Sequence, residues 1–164
     1  MKNFRFLHTS DLHLGMPFGR FDPEVSADLR KARQEVIPTI IAAARDNGVE
    51  HIVVAGDMFD QEAPSLRLIR QTLSAMADAP DLAWWIIPGN HDSLNADLIW
   101  QTFSSHAAEN VRVQTTDSPV EMTDDVWLLP APCPVRSPGY DLTERMADRE
   151  TPEGALRIGL AHGG

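Results

Sequence analysis

The chain has almost no cysteine: Cys133 is the single one among 164 residues. No internal disulfide can form, so the fold cannot depend on an oxidising compartment. Long apolar runs are missing too, and nothing approaches the roughly 20 residues that a membrane span needs. The N-terminus reads Met-Lys-Asn and enters an apolar-periodic segment, without the apolar core and small-residue cleavage site of a secretory signal. Together these absences predict a cytoplasmic location and no membrane partner. Positive charge is scarce as well: 14 Lys and Arg stand against 24 Asp and Glu, a net charge of −10. Broad, sequence-independent nucleic-acid binding rests on phosphate neutralisation by Lys and Arg, and this balance argues against it. A nuclease is not excluded, because bound cations would offset some of the carboxylates. There is no internal repeat and no low-complexity tract, and the length suits one domain, 1–164, with a real core.

What is present is a regular alternation of short apolar runs and helical patterns. Residues 4–9 alternate as a strand, with Phe4, Phe6 and His8 on one face and Arg5, Leu7 and Thr9 on the other. A loop with Gly15, Pro17 and Gly19 follows. The spacing of Leu29, Val36, Ile37, Ile40, Ile41 and Ala44 predicts a helix over 27–47, stopped by Gly48 and bent at Pro38. Residues 52–55 are a β-branched run of the kind buried on both faces. A helix over 65–77, a strand over 84–87 ended by Pro88-Gly89, and a short helix over 95–103 complete a βαβαβ alternation. That order implies a parallel sheet with helices on its faces. The remainder reads as short strands at 111–113, 120–122 and 126–129, a proline-rich loop at 130–139, a charged helical stretch at 142–147 and a last strand at 156–161.

Four ligand-rich clusters fall at the C-terminal ends of these strands: Ser10-Asp11-Leu12-His13, Gly56-Asp57, Gly89-Asn90-His91-Asp92 and Ala161-His162. Loops beyond the carboxyl ends of strands in an open α/β sheet converge on one crevice, so residues far apart in sequence are expected to meet. Carboxylates, imidazoles and an amide oxygen suit borderline divalent ions such as Mn, Fe or Zn, and one cysteine rules out a thiolate-rich site. Two ions about 3.5–4 Å apart can clamp a phosphate and activate a bridging water. That needs a central carboxylate, for which Asp57 is the natural candidate, while Gly56 and Gly89 would permit the sharp turns. Singly, each cluster has a bland reading: Asp-x-His and Gly-Asp are common turns, and Asn-His-Asp after Pro-Gly could be a helix cap. The joint pattern on successive strand ends is what carries the inference.

The runs SDLHLG at 10–15, AGDMFD at 55–60, PGNHD at 88–92 and AHGG at 161–164 resemble the calcineurin-like metallophosphoesterases over nearly the whole chain. Within them, SDLHLG, the GDxFD form of the second run and Pro64-Ser65 look most like the SbcD-type DNA-repair exonucleases. The resemblance implies an α/β fold with a two-sheet β-sandwich flanked by helices. It implies two divalent ions, with Mn expected first. Asp11 and His13 would bind the first, Asp57 would bridge, and Asn90 and His162 would bind the second. His91 would be the acid at the leaving oxygen, and Asp92 would orient its ring, as a carboxylate beside an imidazole does. The family's closing Gly-His-x-His motif does not occur before Gly164, so the domain is expected to be incomplete at its C-terminus. An uncovered sheet edge would then recruit a second copy, making a homodimer, and the chain alone would be weakly active or inactive. DNA would be the substrate and an SbcC-type ATPase the partner.

Asp60 is read as a group beside the site or on the substrate loop. Arg136, in the proline-rich loop, could reach a substrate phosphate, though a solvated cation is the plainer reading. His8, His51 and His106 are read as packing or surface residues, Trp84 and Trp85 as core, and Cys133 as inert. Two rival functions stand beside the exonuclease. One is a phosphoesterase of the same fold acting on a nucleotide or small phosphodiester, which the acidic charge favours. The other is a non-catalytic binding module with an incomplete metal site.

Overall fold

The computed structural model describes residues 4–163. Its elements run β1 (Phe6–Thr9), α1 (Pro23–Gln34), α2 (Val36–Asp46), β2 (His51–Ala55), α3 (Leu66–Ala77), β3 (Ala83–Ile87), α4 (Asp97–His106), β4 (Val111–Val113), β5 (Val120–Thr123), β6 (Val126–Ala131) and β7 (Leu156–Ala161). The first four strands form a parallel sheet in the order β1-β2-β3-β4, and the last three form a second sheet in the order β5-β6-β7. In the second sheet β5 and β6 are antiparallel, whereas β6 and β7 are parallel. The result is the expected mixed α/β arrangement of two sheets and helices.

Strand alternation sorts the core into two layers. Ile52, Val54, Trp84 and Ile86 point to the helices and pack with Ile41, Leu73, Ile99 and Phe103. Val53, Ala55, Trp85 and Ile87 point the other way, onto Met122, Val126, Leu128 and Leu160 of the second sheet. Full burial of an aliphatic side chain of this size contributes roughly 1.5–3 kcal/mol, so β2 and β3 anchor both layers at once. Trp84 and Trp85 are both fully buried, on opposite faces.

The structure departs from the sequence reading in three places. The single helix expected over 27–47 is two helices that break at Glu35. Pro38 lies in the first turn of α2, where its missing N–H leaves no intrahelical bond unmade. The first of the pair also starts earlier, with Pro23 in its first turn. Residues 142–147 are consecutive turns and not a helix. Asp141 accepts hydrogen bonds from the Thr143 amide and hydroxyl at 2.8 and 2.7 Å, a local alternative to helix formation. Arg157 of β7 donates to the Met146 and Arg149 carbonyls at 2.8 and 3.0 Å, tying these turns to the second sheet. Last, β6 runs on through Pro130 to Ala131. Pro130 is tolerated there because its pairing is with β7, the β5 ladder ending opposite Leu128.

Candidate metal centre

The loops that follow β1 and β2 do not splay apart; they remain zipped beyond the strand ends. The Asp11 amide donates to the Gly56 carbonyl at 3.2 Å, His13 to Asp57 at 3.0 Å and Leu14 to Met58 at 2.8 Å. Following the sheet's twist into this tight double loop forces Asp11, His13 and Asp57 into the left-handed region, at φ 55°, 42° and 53°. Each such non-glycine residue costs on the order of 1–3 kcal/mol and persists where surrounding structure over-determines it. Three in two short loops mark a site held against local preference.

Two glycines allow the third loop to close onto the second. A Cβ on Gly89 would lie 2.2 Å from both the amide nitrogen and Oδ1 of Asp57, and one on Gly56 would lie 2.6 Å from the Gly89 Cα. Asp92 then ties the loops together. Its buried carboxylate accepts from the amides of Gly89 at 2.7 Å, Phe59 at 3.0 Å and Asp57 at 3.2 Å. Burial pushes its carboxyl above the usual carboxylate range, the Gly89 and Phe59 amides pull it back, and nearby Asp57 adds a smaller upward push. Asp92 is therefore not placed to orient the His91 ring, as the sequence reading expected. The ring is held through Nδ1 by the backbone carbonyl of Asp60, at 2.9 Å.

Side chains from all four clusters converge. One group of ligand atoms, from His13, Asp57 and His91, and a second, from Asp11, Asp57 and His162, each lie within 4.8 Å of one another. Asp57 is common to both and is 2% exposed. Its Oδ1 accepts from the His91 amide at 2.8 Å, and its Oδ2 lies 3.9 Å from His13 Nε2 and 3.5 Å from His162 Nε2. Asn90 Oδ1 is 2.7 Å from the same His162 nitrogen.

The donor set fits divalent cations. A carbonyl can only accept, so the 2.7 Å contact between His162 Nδ1 and the Ala55 carbonyl puts the proton on Nδ1. Its Nε2 then turns to the same point as the oxygens of Asn90 and Asp57, an imidazole nitrogen and two oxygens converging as ligands of one cation would. His13 Nδ1 is buried with no hydrogen-bond partner among the described residues, its nearest charged neighbour being the Asp60 carboxylate at 3.5 Å. Oxygen and imidazole ligands without thiolate match the chemistry of Mn, Fe or Zn.

The remaining candidates separate clearly. Asp60 touches both His13 and His91 and so lies at the cluster itself. Arg136 is exposed in the loop after β6 and makes no hydrogen bond or ion pair among the described residues. His8 is exposed on β1, His106 ends α4, and His51 Nδ1 accepts from the Trp85 indole at 3.1 Å. Two contributions escaped the sequence. Cys133 donates its amide to the Pro88 carbonyl at 3.0 Å and accepts at its own carbonyl from Leu94, also at 3.0 Å, joining the second sheet to the third loop. Burial, followed by the Asp57 and Asp92 charges, raises its thiol to about 11. Arg33 of α1 donates to the Leu12 carbonyl at 2.8 Å and holds the first loop from outside. Its position three residues after Arg30 was the only signal.

The family model of the calcineurin-like phosphoesterases matches residues 4–164. The chain belongs to that family. Its members are hydrolases that use divalent metals, and the cluster above supplies candidate ligands for them. Among named relatives, the DNA double-strand break repair protein Mre11 of Methanosarcina acetivorans is 34% identical over 94 residues, covering 56% of this chain and 14% of that protein. The SbcD component of the SbcCD nuclease of Bacillus subtilis is 34% identical over 93 residues, covering 54% and 22%. The metallophosphoesterase YhaO of the same organism is 26% identical over 127 residues, covering 74% and 30%. This chain thus spans less than a third of the length of each of these relatives. No helix among the described residues is long and apolar enough to cross a membrane.

Proposed function

We propose that this phosphoesterase is a two-metal phosphodiesterase acting on DNA, an exonuclease of the repair type that works in the cytoplasm with an ATPase partner. The observation that carries the hydrolytic part is the sharing of Asp57 between two ligand groups, the arrangement a bridging carboxylate requires. By the family resemblance Asp11 and His13 would serve one ion and Asn90 and His162 the other, with Mn the first candidate; the ligand groups themselves pair His13 with His91 and Asp11 with His162. Such ions, once bound, supply charge neutralisation at the phosphoryl oxygens and a water acidic enough to attack near neutral pH. The chain's own residues hold the geometry. His91 Nδ1 donates to the Asp60 carbonyl, so the acid role requires a second proton on Nε2, which the ring would pass to the departing oxygen. DNA as substrate and an ATPase as partner rest on the likeness to Mre11 and to the SbcCD nuclease. The net charge of −10 favours a second reading, a small phosphodiester or nucleotide as substrate.

The test uses the full-length protein with Mn, bis(p-nitrophenyl) phosphate and a linear DNA. His91→Ala should lose about 10²- to 10⁴-fold in kcat, the usual worth of general acid catalysis, while bound Mn counted by calorimetry stays unchanged. Loss of one Mn instead would make His91 a ligand and remove it from the acid role, which its nearness to His13 and Asp57 allows. Turnover of the small diester without any cleavage of DNA would decide for the second reading.

A further inference from the structure

Beside the metal cluster, between α1, α2 and the start of α3, lies a groove of about 650 Å³. Its wall contains Arg30, Arg33 and Arg67 together with Ser65, Gln71 and Gly15, and not one Asp or Glu. In a chain with 24 acidic and 14 basic residues this is a local reversal of sign. The groove is next to the candidate site along the chain: Leu14, Gly15 and Met16 on its wall directly follow His13, and Arg33 on the same wall holds the Leu12 carbonyl. Gly15, at φ +90°, brings that wall against α3, where a Cβ would come within 2.9 Å of Leu68 Cδ2.

Two of the three arginines have visible structural work. Arg33 donates to the Leu12 carbonyl at 2.8 Å and lies over the Phe18 ring, 5.6 Å from its centroid. Arg30 donates to the Pro17 carbonyl at 3.0 Å. Both remain cations with no carboxylate partner among the described residues. Arg67 has neither hydrogen bond nor ion pair among the described residues. It stands in the first turn of α3, where the helix dipole disfavours a cation, so nothing in the fold accounts for it.

We propose that this groove binds backbone phosphates of a nucleic-acid strand next to the one being cleaved. The inference rests on the phosphodiesterase reading above and deepens it: an acidic protein would handle a polyanion through a local basic groove whose wall adjoins the loop that carries Asp11 and His13. Fixed guanidinium forks suit phosphate oxygens, and Gln71, Ser65 and Thr72 add neutral hydrogen-bonding groups along the wall.

The experiment is carried out on the full-length protein in two arms. In the first, metal is removed with EDTA and a fluorescein-labelled single-stranded oligonucleotide is titrated by anisotropy. Arg67→Glu should weaken binding roughly tenfold at low salt, with Arg67→Lys close to the parent. The slope of log affinity on log salt should become shallower by about 0.7 for the lost contact. In the second arm, Mn-dependent turnover of bis(p-nitrophenyl) phosphate should be the same in Arg67→Glu and the parent. An oligonucleotide affinity that Arg67→Glu leaves unchanged, or no binding by the parent at low salt, overturns the proposal. So does a nucleoside monophosphate that competes as well as the oligonucleotide, which would reveal a single-phosphate site. A parent that binds the oligonucleotide through Arg67 but hydrolyses neither substrate would sustain the groove and overturn the phosphodiesterase reading instead.

Discussion

In β2 and β3 every residue after His51 and Ala83 is buried, whereas in β7 only Leu160 is. These two central strands are covered on both faces, by helices on one side and the second sheet on the other. The second sheet contributes one face to the shared core and leaves Leu156 48% exposed. The connections differ in the same sense. Loops at the ends of β1, β2 and β3 are cross-linked by backbone and carboxylate hydrogen bonds, while residues 132–155 are turns and bends with exposed Tyr140 and Val135. Strain in the left-handed residues of the first half is sustainable because the loop after β1 is zipped to the loop after β2, and β2 is packed from both sides. The second half delivers one ligand, His162, and the Cys133 link, and otherwise needs no such rigidity.

The sharpest way to break this contrast is through its glycines. Gly89→Ala in the third loop must push the Asp57 backbone and side chain apart, and overpacking against backbone costs about 3 kcal/mol or more. Gly139→Ala faces open space at φ +72°, so only the left-handed penalty of about 1–2 kcal/mol applies. Urea midpoints of the two variants read the difference. Equal losses would show that the loop cluster is not tighter than the connection after β6.

A second contrast separates two aspartates that both accept from backbone amides. Asp92→Ala strands three buried donors and should cost about 3 kcal/mol, at roughly 1 kcal/mol for each donor left unsatisfied. Asp141→Ala, whose carboxylate is fully exposed, should leave the thermal midpoint within measurement scatter. The carboxyl of Asp141 is held below 3.8 by its bonds to Thr143, so any contribution it makes is present above pH 3.8 and fades below it. A comparable fall in both midpoints would sink the distinction.

The smallest expected effect concerns His51, where the two layers meet through Trp85. Burial, and then nearby Arg112, hold its imidazole below 6.5 against the opposing pull of Glu50. A depressed folded value means the stabilisation is present above pH 6.5 and is lost as pH falls through that folded value. Since the ring is only partly buried, screening keeps the effect below about 1 kcal/mol. The parent should therefore lose more stability than His51→Gln between about pH 7 and pH 5, measured by urea unfolding. Parallel losses would mean that the Trp85 indole does not depend on a neutral His51.

Much of the site was legible in the sequence. The β-branched and aromatic runs at 52–55 and 84–87 can only be strands buried on both faces, and a strand's direction decides which end its following loop occupies. Asp11, His13, Asp57, Asn90, His91 and His162 were thereby assigned to one crevice by sequence position alone. The Gly-Asp and Pro-Gly pairs announced the tight turns. Local rules served less well where two neighbours compete for the same backbone groups. The stretch at 142–147 has a helical pattern, but Asp141 binds the Thr143 amide and hydroxyl in a local turn; the 27–47 periodicity continues through a proline in the first turn of a new helix.

What sequence determined by itself, then, was the common address of the four candidate clusters, because period-two burial and chain direction are properties of each segment alone; the choice of candidate ligands within them came from the family resemblance. Tertiary structure decided the partner of each side chain. Asp92 went to three amides and not to the imidazole beside it in sequence, Asp60 supplied a carbonyl to His91, and three arginines gathered in a groove free of carboxylates. Those outcomes depend on loops 10–14, 56–60 and 88–92 closing onto one another, and a contact between segments so far apart in the chain is set by packing and not by local pattern.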